Sequence, residues 1–339
     1  MISLKNAVNK FSKANILVIG DLILDEYITG TVERISPEAP VPVVWAKERH
    51  FVPGGAANVA SNLRALGARV TLAGVVGQDD NRAVLLRKLT GLGIDPSAVI
   101  SEKGRMTTVK SRVFARNQQL VRIDWEHVEP ISPSTREKLL AFMARNLKKY
   151  DAVIIEDYGK GVFDRDLLRS LITAARAQKK IITVDPKEDN FEQYYGVTCI
   201  TPNRKEAQNA IRYLKMKDDK NVFKIYDDKL GSHRDIRKAG YEILNHLGLE
   251  SLLITLGEDG MWLFERGNDE HIPTVAQEVF DVSGAGDTAI ASFTLALAAG
   301  AAKADAAKIA NFASGIVVGK MGTATTTREE LIERMGRHA

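Results

Sequence analysis

Asp281-Val282-Ser283-Gly284-Ala285-Gly286-Asp287-Thr288, followed by the small-residue run Ala289 to Ala299, places a glycine turn directly ahead of an apolar helix. Ser283, Gly284, Ala285 and Gly286 carry almost no side chain. The amides that a new helix leaves unpaired can therefore face a ligand there, and the helix dipole favours an anion. A phosphate suits such a place. Asp287 is the odd member, because a carboxylate in the first helical turn repels a phosphate unless the reaction needs a base at that point. In phosphoryl transfer a carboxylate takes the hydroxyl proton while amides and cations hold the transferred group. The same residues are also ordinary helix-start chemistry, so their meaning depends on what the rest of the chain sets beside them.

A second glycine turn, Pro53-Gly54-Gly55-Ala56-Ala57-Asn58, opens a helix whose packed face is Ala57, Ala60, Leu63 and Leu66. Gly54 and Gly55 permit close backbone approach to a ligand, and the Asn58 amide can donate to and accept from a sugar hydroxyl. A helix start with a polar residue is the plain alternative. Upstream, Asn15 to Asp21 is an apolar run whose end delivers an acid to the edge where open α/β sheets bind ligands. Asp21 and Asp25 are candidate ligands for polyol hydroxyls, or turn caps. Residues 26 to 52 and 106 to 125 have the texture of short strands, and Pro37, Pro40 and Pro42 rule out a long central strand in the first of them. Together they are expected to form a small sheet or lid, the second piece a hairpin turning at Asn117-Gln118. Alternation puts Arg112, Phe114 and Arg116 on one face of that hairpin, and with Arg122 these arginines suggest a second anion contact.

The elements that must hold these residues follow from Asp151 onward, where apolar runs ending in polar residues or glycine alternate with helical patterns. That rhythm predicts a doubly wound, mostly parallel α/β sheet with helices on both faces. Its strand ends present Glu156, Asp157, Asp185, Lys187, Asn203, Glu206 and Gly257 at one edge. Residues 215 to 234, rich in both charge signs, read as a surface excursion. No internal repeat or linker divides the 339 residues, so one domain over 1–339 is expected. A content of 45 % hydrophobic and 27 % charged residues with a net charge of +4 argues against disorder and gives no concentrated basic face for nucleic acid. No signal peptide or eighteen-residue apolar segment is visible, which predicts a cytoplasmic protein without membrane contact. Cys199 is the only cysteine, so neither an internal disulfide nor a multi-cysteine metal site is available.

Taken together, the two glycine turns and the strand-end residues resemble the ribokinase-like (PfkB) family of carbohydrate kinases over nearly the whole length. The resemblance implies ATP and Mg²⁺, a β-sheet lid on the core, Asp287 as general base, and the amides of Gly284, Ala285 and Gly286 as the anion hole. It implies sugar contacts from Asp21, Asp25, Gly54, Gly55 and Asn58. Asn203 and Glu206 would serve the metal and phosphate region, Glu206 as a metal ligand through water, while Thr255, Gly257 and Gly260 would line the nucleotide pocket. Arg34 to Val43, Asp157-Tyr158-Gly159-Lys160-Gly161, Asp185-Pro186-Lys187 and Gly322-Thr323-Ala324 further resemble the heptose-phosphate kinases of that family. A sugar already phosphorylated at one end needs a second anion site, for which Lys110, Arg112, Arg116, Arg122, Lys160 and Lys187 are the available cations. Some such kinases carry a fused nucleotidyltransferase; with the sequence ending at Ala339, a separate adenylyltransferase is expected to follow. An exposed lid sheet needs covering, which predicts a homodimer through it. The competing expectations are a relative acting on another sugar phosphate or a nucleoside, and a sugar-binding regulator without catalysis. Retention of Asp287 within an intact glycine turn opposes the latter.

Overall fold

β1 (Asn15–Ile35) is the strand from which both sheets grow in this computed structural model, which describes residues 3–116, 118–216, 229–275 and 278–337. Its first half alternates strictly: Leu17 and Ile19 pack into one core, Ile16 and Val18 into another on the opposite face. That is what a strand covered on both sides requires. After α1 (Leu4–Asn9) and β1 come β2 (Pro42–Gly55), α2 (Ala56–Ala65), β3 (Arg69–Val76), α3 (Asp80–Gly91) and β4 (Asp95–Ser101). Next are β5 (Thr108–Ala115), β6 (Gln118–Trp125), α4 (Pro133–Asn146), β7 (Ala152–Glu156), α5 (Arg165–Ala177), β8 (Ile181–Asp185) and β9 (Cys199–Ile200). The chain continues through α6 (Arg204–Met216), α7 (His233–His246), β10 (Ser251–Thr255), β11 (Met261–Glu265), β12 (Asn268–Ile272), α8 (Ala285–Ala298), α9 (Lys303–Val317) and α10 (Arg328–Gly336).

The core sheet runs β12-β11-β10-β9-β8-β7-β1-β3-β4. Pairing is parallel from β4 through β10, and β11 and β12 add an antiparallel edge. α4 to α7 bury leucine and isoleucine faces against one side, and α1 to α3 with α8 to α10 cover the other. The predicted α/β class is thus the observed one. No helix among the described residues is long and apolar enough to cross a membrane.

Two expectations need correction. β1 does not end at Asp21, because Leu22, Ile23, Leu24 and Tyr27 continue to bury side chains and carry the strand out of the core sheet into a second one. There it pairs with β2 antiparallel and with β5 parallel, and β6 closes the hairpin. Residues 26 to 52 are therefore the distal half of one long strand and most of another, not short strands, with bulges at Thr29/Gly30 and Val32/Arg34. The prolines fit because Pro37 and Pro40 fall in the connection and Pro42 starts β2. Of the charged stretch 215 to 234, residues 217–228 lie outside the described part; its ends belong to α6 and α7. Asn117 of the expected hairpin turn also lies outside it.

Candidate active site

Gly284 takes a left-handed conformation, φ 79°, and releases the chain into α8. Almost every position of this helix is buried, which explains its alanine and threonine content: larger side chains would separate it from α2, α9 and the strands β7 and β8. Asp287 is carried inward in the first turn. Its Oδ2 accepts the side-chain amide of Asn58 at 2.6 Å, and its Oδ1 accepts the Tyr158 hydroxyl at 2.7 Å. Burial pushes the Asp287 carboxyl above its ordinary range, opposed by these two hydrogen bonds. The charges of Asp25 and Lys110 also reach it, so the second sheet faces this carboxylate. The amides of Gly284 and Gly286 have no partner among the described residues, whereas the Ala285 amide donates to the Val282 carbonyl at 3.2 Å. Two of the three expected anion-hole donors thus remain available.

The loop after β7 is held by buried charges. Asp21 accepts the backbone amides of Tyr158, Lys160 and Val162 at 2.8, 3.1 and 3.3 Å. Burial and the neighbouring Asp157 push the Asp21 carboxyl up to about 6 despite these bonds. From the other side, Arg105 donates to the Lys160 carbonyl at 2.6 Å and to the carbonyls of Glu129 and His127. Asp157 accepts from the Gly159 amide, Asn190 and Tyr194. Asp21, read from the sequence as a sugar ligand, thus spends its oxygens on the loop that presents Tyr158.

Glu156, Asp185 and Asp287 bring one carboxylate oxygen each within 4.8 Å of one another. Burial and the neighbouring carboxylates push Glu156 and Asp185 well above the usual range. Both oxygens of the fully buried Glu156 lack a hydrogen-bond partner among the described residues. Three carboxylates so close together, one of them buried with both oxygens unpaired, suit a hard divalent cation with oxygen ligands. Glu206, whose charge reaches both Glu156 and Asp185, borders this group. It also caps α6: the Asn203 amide donates to Glu206 at 2.8 Å and the Glu206 amide to the Asn203 side chain at 2.9 Å.

Beside the glycine turn lies a recess of about 670 Å³ lined by Thr255, Gly257, Gly260, Met261, Ala285 and Gly286, among others. Its walls are mostly apolar, as the plane of a base requires. The three residues expected from the sequence to line a nucleotide pocket all reach it, and Asn203 bridges to Thr255.

The second sheet shows which cations face Asp287. Register places Asp25, Lys110 and Asp124 in one row across β1, β5 and β6, and Tyr27, Arg112 and Arg122 in the next row of the same face. Arg112 pairs with Asp25, Arg122 with Asp124 at 2.8 Å, and Lys160 with Glu126 at 2.7 Å. Lys110 makes no ion pair among the described residues and lies 5.8 Å from the Tyr158 ring centroid. Burial, then Lys160, lowers its affinity for a proton. Lys187 lies over Gly159. Arg116 stands exposed at the far tip of the hairpin with φ 55°, away from this group. Gly54 and Gly55 serve close packing: a Cβ at 54 would strike the Asp25 carboxylate, and one at 55 would lie 2.7 Å from the Asp21 carbonyl. Sequence reasoning assigned no role to Tyr158 or Arg105; Glu156 and Asp185 were visible only as strand-end acids.

Residues 13–330 match the family described as pfkB family carbohydrate kinase. The chain is 46 % identical to the bifunctional protein HldE of Geobacter metallireducens over 336 residues, 98 % of this chain and 66 % of that protein. It is 43 % identical to the bifunctional protein HldE of Helicobacter pylori strain J99, over 93 % of this chain and 65 % of that protein. The chain therefore spans about two thirds of the length of these relatives. Among solved structures, Arabidopsis thaliana ribokinase complexed with ribose and ATP aligns with a TM-score of 0.72 and 18 % identity, covering 95 % of this chain and 98 % of that one. Escherichia coli phosphofructokinase-2 in complex with potassium aligns with a TM-score of 0.76 and 19 % identity, covering 96 % and 99 %. These structures share the fold.

Proposed function

The chain belongs to the pfkB family of carbohydrate kinases, and from that membership we propose that it transfers the γ-phosphoryl group of ATP to O1 of D-glycero-β-D-manno-heptose 7-phosphate, as a step toward ADP-heptose. The reaction class, phosphoryl transfer to a sugar hydroxyl, comes with the family. The observation that carries the narrower reading is Lys110: partly buried, without an ion-pair partner among the described residues, and close enough to act on Asp287 electrostatically. With a neutral sugar the γ-phosphoryl group alone would answer this cation. A sugar phosphate supplies counter-charge for more than one cation, and Lys160 and Arg112 stand near enough to Lys110 to share it.

In this mechanism the nucleotide occupies the recess beside Thr255, Gly257 and Gly260, with its terminal phosphate toward the amides of Gly284 and Gly286. Asp287 accepts the proton of the acceptor hydroxyl as that oxygen attacks phosphorus in line and the bond from phosphorus to the bridging oxygen breaks, ADP leaving with the electron pair, while the amides stabilise the charge gathering on the transferred oxygens. Glu156, Asp185 and Glu206 would hold Mg²⁺. The ion, when bound, neutralises phosphate charge and orients the transferred group. Asn58 and Asp25 orient the sugar, and the second sheet excludes water from above. The chain is read as one domain, 1–339, with that sheet as its lid. Ile123 and Trp125, exposed on the side of the lid opposite Lys110, favour a homodimer through it.

ADP release from Mg·ATP tests this reading, with heptose 7-phosphate, fructose 6-phosphate, ribose and adenosine offered in parallel to wild type and Asp287→Asn. The expected result is turnover with the heptose phosphate and a loss of about a hundredfold or more in the variant. Turnover on another member of the panel would move the substrate and keep the mechanism; equal activity of the variant would remove the base.

A further inference from the structure

Both oxygens of Asp287 are already engaged, one by Asn58 and one by Tyr158. Tyr158 reaches it from a different element and under unusual constraint. Its own amide, and those of Lys160 and Val162, are held by Asp21, a carboxylate only 1 % exposed. The Lys160 carbonyl is held by Arg105, itself 9 % exposed. Gly161 has φ 84° and its missing Cβ leaves room for the Glu129 carbonyl, so the loop has little freedom to shift. Two buried charges tied to one short loop cost desolvation that a surface connection would avoid. What the loop obtains is a fixed place for the Tyr158 hydroxyl.

We propose that Tyr158 is a positioning residue for phosphoryl transfer: through its hydrogen bond to Oδ1 it sets the plane of the Asp287 carboxylate, and the ties of its loop to Asp21 and Arg105 keep it there. This rests on the reading of Asp287 as the base. The geometric reason is that a carboxylate held only by Asn58 can rotate about its Cβ–Cγ bond. A base must present a lone pair within about 3 Å of the acceptor hydroxyl, and small misplacement is costly. Tyr158 touches neither transferred atom in this scheme, so its removal should slow the chemical step without weakening sugar binding.

The test is a double-mutant cycle on the full chain with Tyr158→Phe, Asp287→Asn and both together. On the sugar that turns over best, Tyr158→Phe is expected to lower kcat about tenfold, the scale of one hydrogen bond to a charged group, with KM for the sugar unchanged. In the Asp287→Asn background the same change should cost nothing further, because the group through which it acts is gone. An unchanged kcat, a rise confined to KM, or losses that multiply would each overturn the role. The same cycle read by urea unfolding without substrate should show coupling between the two positions; strictly additive stabilities would also overturn it. A failure of the base assignment is read separately, as full activity of Asp287→Asn alone.

Discussion

A Cβ on residue 284 would lie 2.8 Å from the Nδ2 of Asn58, the atom that donates to Asp287. The glycine turn and the other glycine-led helix thus meet at one point. Gly284→Ala is expected to do two things. At φ 79° an alanine carries strain of about 1–2 kcal/mol. The displaced Asn58 would also leave Oδ2 of Asp287 without its donor. Activity should fall at least about tenfold while the protein stays folded, and ADP-release kinetics beside a thermal melt would separate the two. Wild-type activity in Gly284→Ala would mean that Asn58 is free to move.

Asp21 makes a prediction about pH. Its carboxyl is raised from an ordinary 3.8 to about 6 in the folded protein. Below pH 3.8 it is protonated whether the chain is folded or not, and contributes no pH-dependent penalty. As pH rises from there to 6 the unfolded chain releases the proton first, so folding stability falls. Above 6 the accumulated cost is about 3 kcal/mol. Asp21→Asn lacks this titration but sets an NH₂ group among backbone amides. The variant should be clearly less stable than wild type near pH 4 and closer to it, or more stable, at pH 7. Urea unfolding at the two pH values measures the gap; a constant gap would refute the shift.

The difference between Asp287 and Asp21 marks how far the sequence could be read. Asp287 is legible because its surroundings are local: two small residues and two glycines at a helix start say where its backbone points. The parallel sheet is legible for a similar reason, since apolar runs such as Ile181 to Val184 recur between helical patterns. Asp21 looks identical to a ligand at a strand end, and only the parallel pairing of β1 with β7 reveals that the loop after β7 takes its oxygens. Tyr158 is hidden by the same fact. Its hydroxyl meets a helix 129 residues further on, and no periodicity in the intervening chain encodes that contact. The continuation of β1 into a second sheet was obscured by prolines that turn out to sit in the connection and at the first residue of β2.

In the proposed function Lys110 would separate a phosphorylated acceptor from a neutral one. Lys110→Met keeps much of the volume and removes the charge. KM for a sugar phosphate should rise about tenfold to a hundredfold, with kcat changing less, because the interaction is present before and during transfer. For any neutral sugar that turns over, KM should hardly move. Equal effects on both would place Lys110 on the nucleotide or the base instead.

The second sheet predicts an association. Ile123 is 42 % and Trp125 56 % exposed, and they share the side of β6 that points away from Lys110. Buried beneath them on the same side, Glu26 is hydrogen-bonded to Ser111 and ion-paired with Arg49. Replacing Trp125 by Lys puts a charge on a face that a second copy would cover, and should convert a dimer to monomer in light scattering. A monomeric wild type at micromolar concentration would remove the dimer.

Glu156 predicts the metal's effect without any turnover. With both oxygens unpaired and buried, it destabilises the protein unless protonated or bound by a cation. Mg²⁺ added to wild type should therefore raise the unfolding midpoint as ligand binding does, by an amount that grows with concentration. At a pH high enough to ionise Glu156 in wild type, Glu156→Gln removes a buried charge, so there the metal-free variant should melt higher than metal-free wild type, while the gain from Mg²⁺ should shrink. The two changes have opposite signs and one cause. A variant that melts lower than wild type without metal would show that the carboxylate has a partner in solution, and an undiminished gain would place the ion on Asp185 and Glu206 alone.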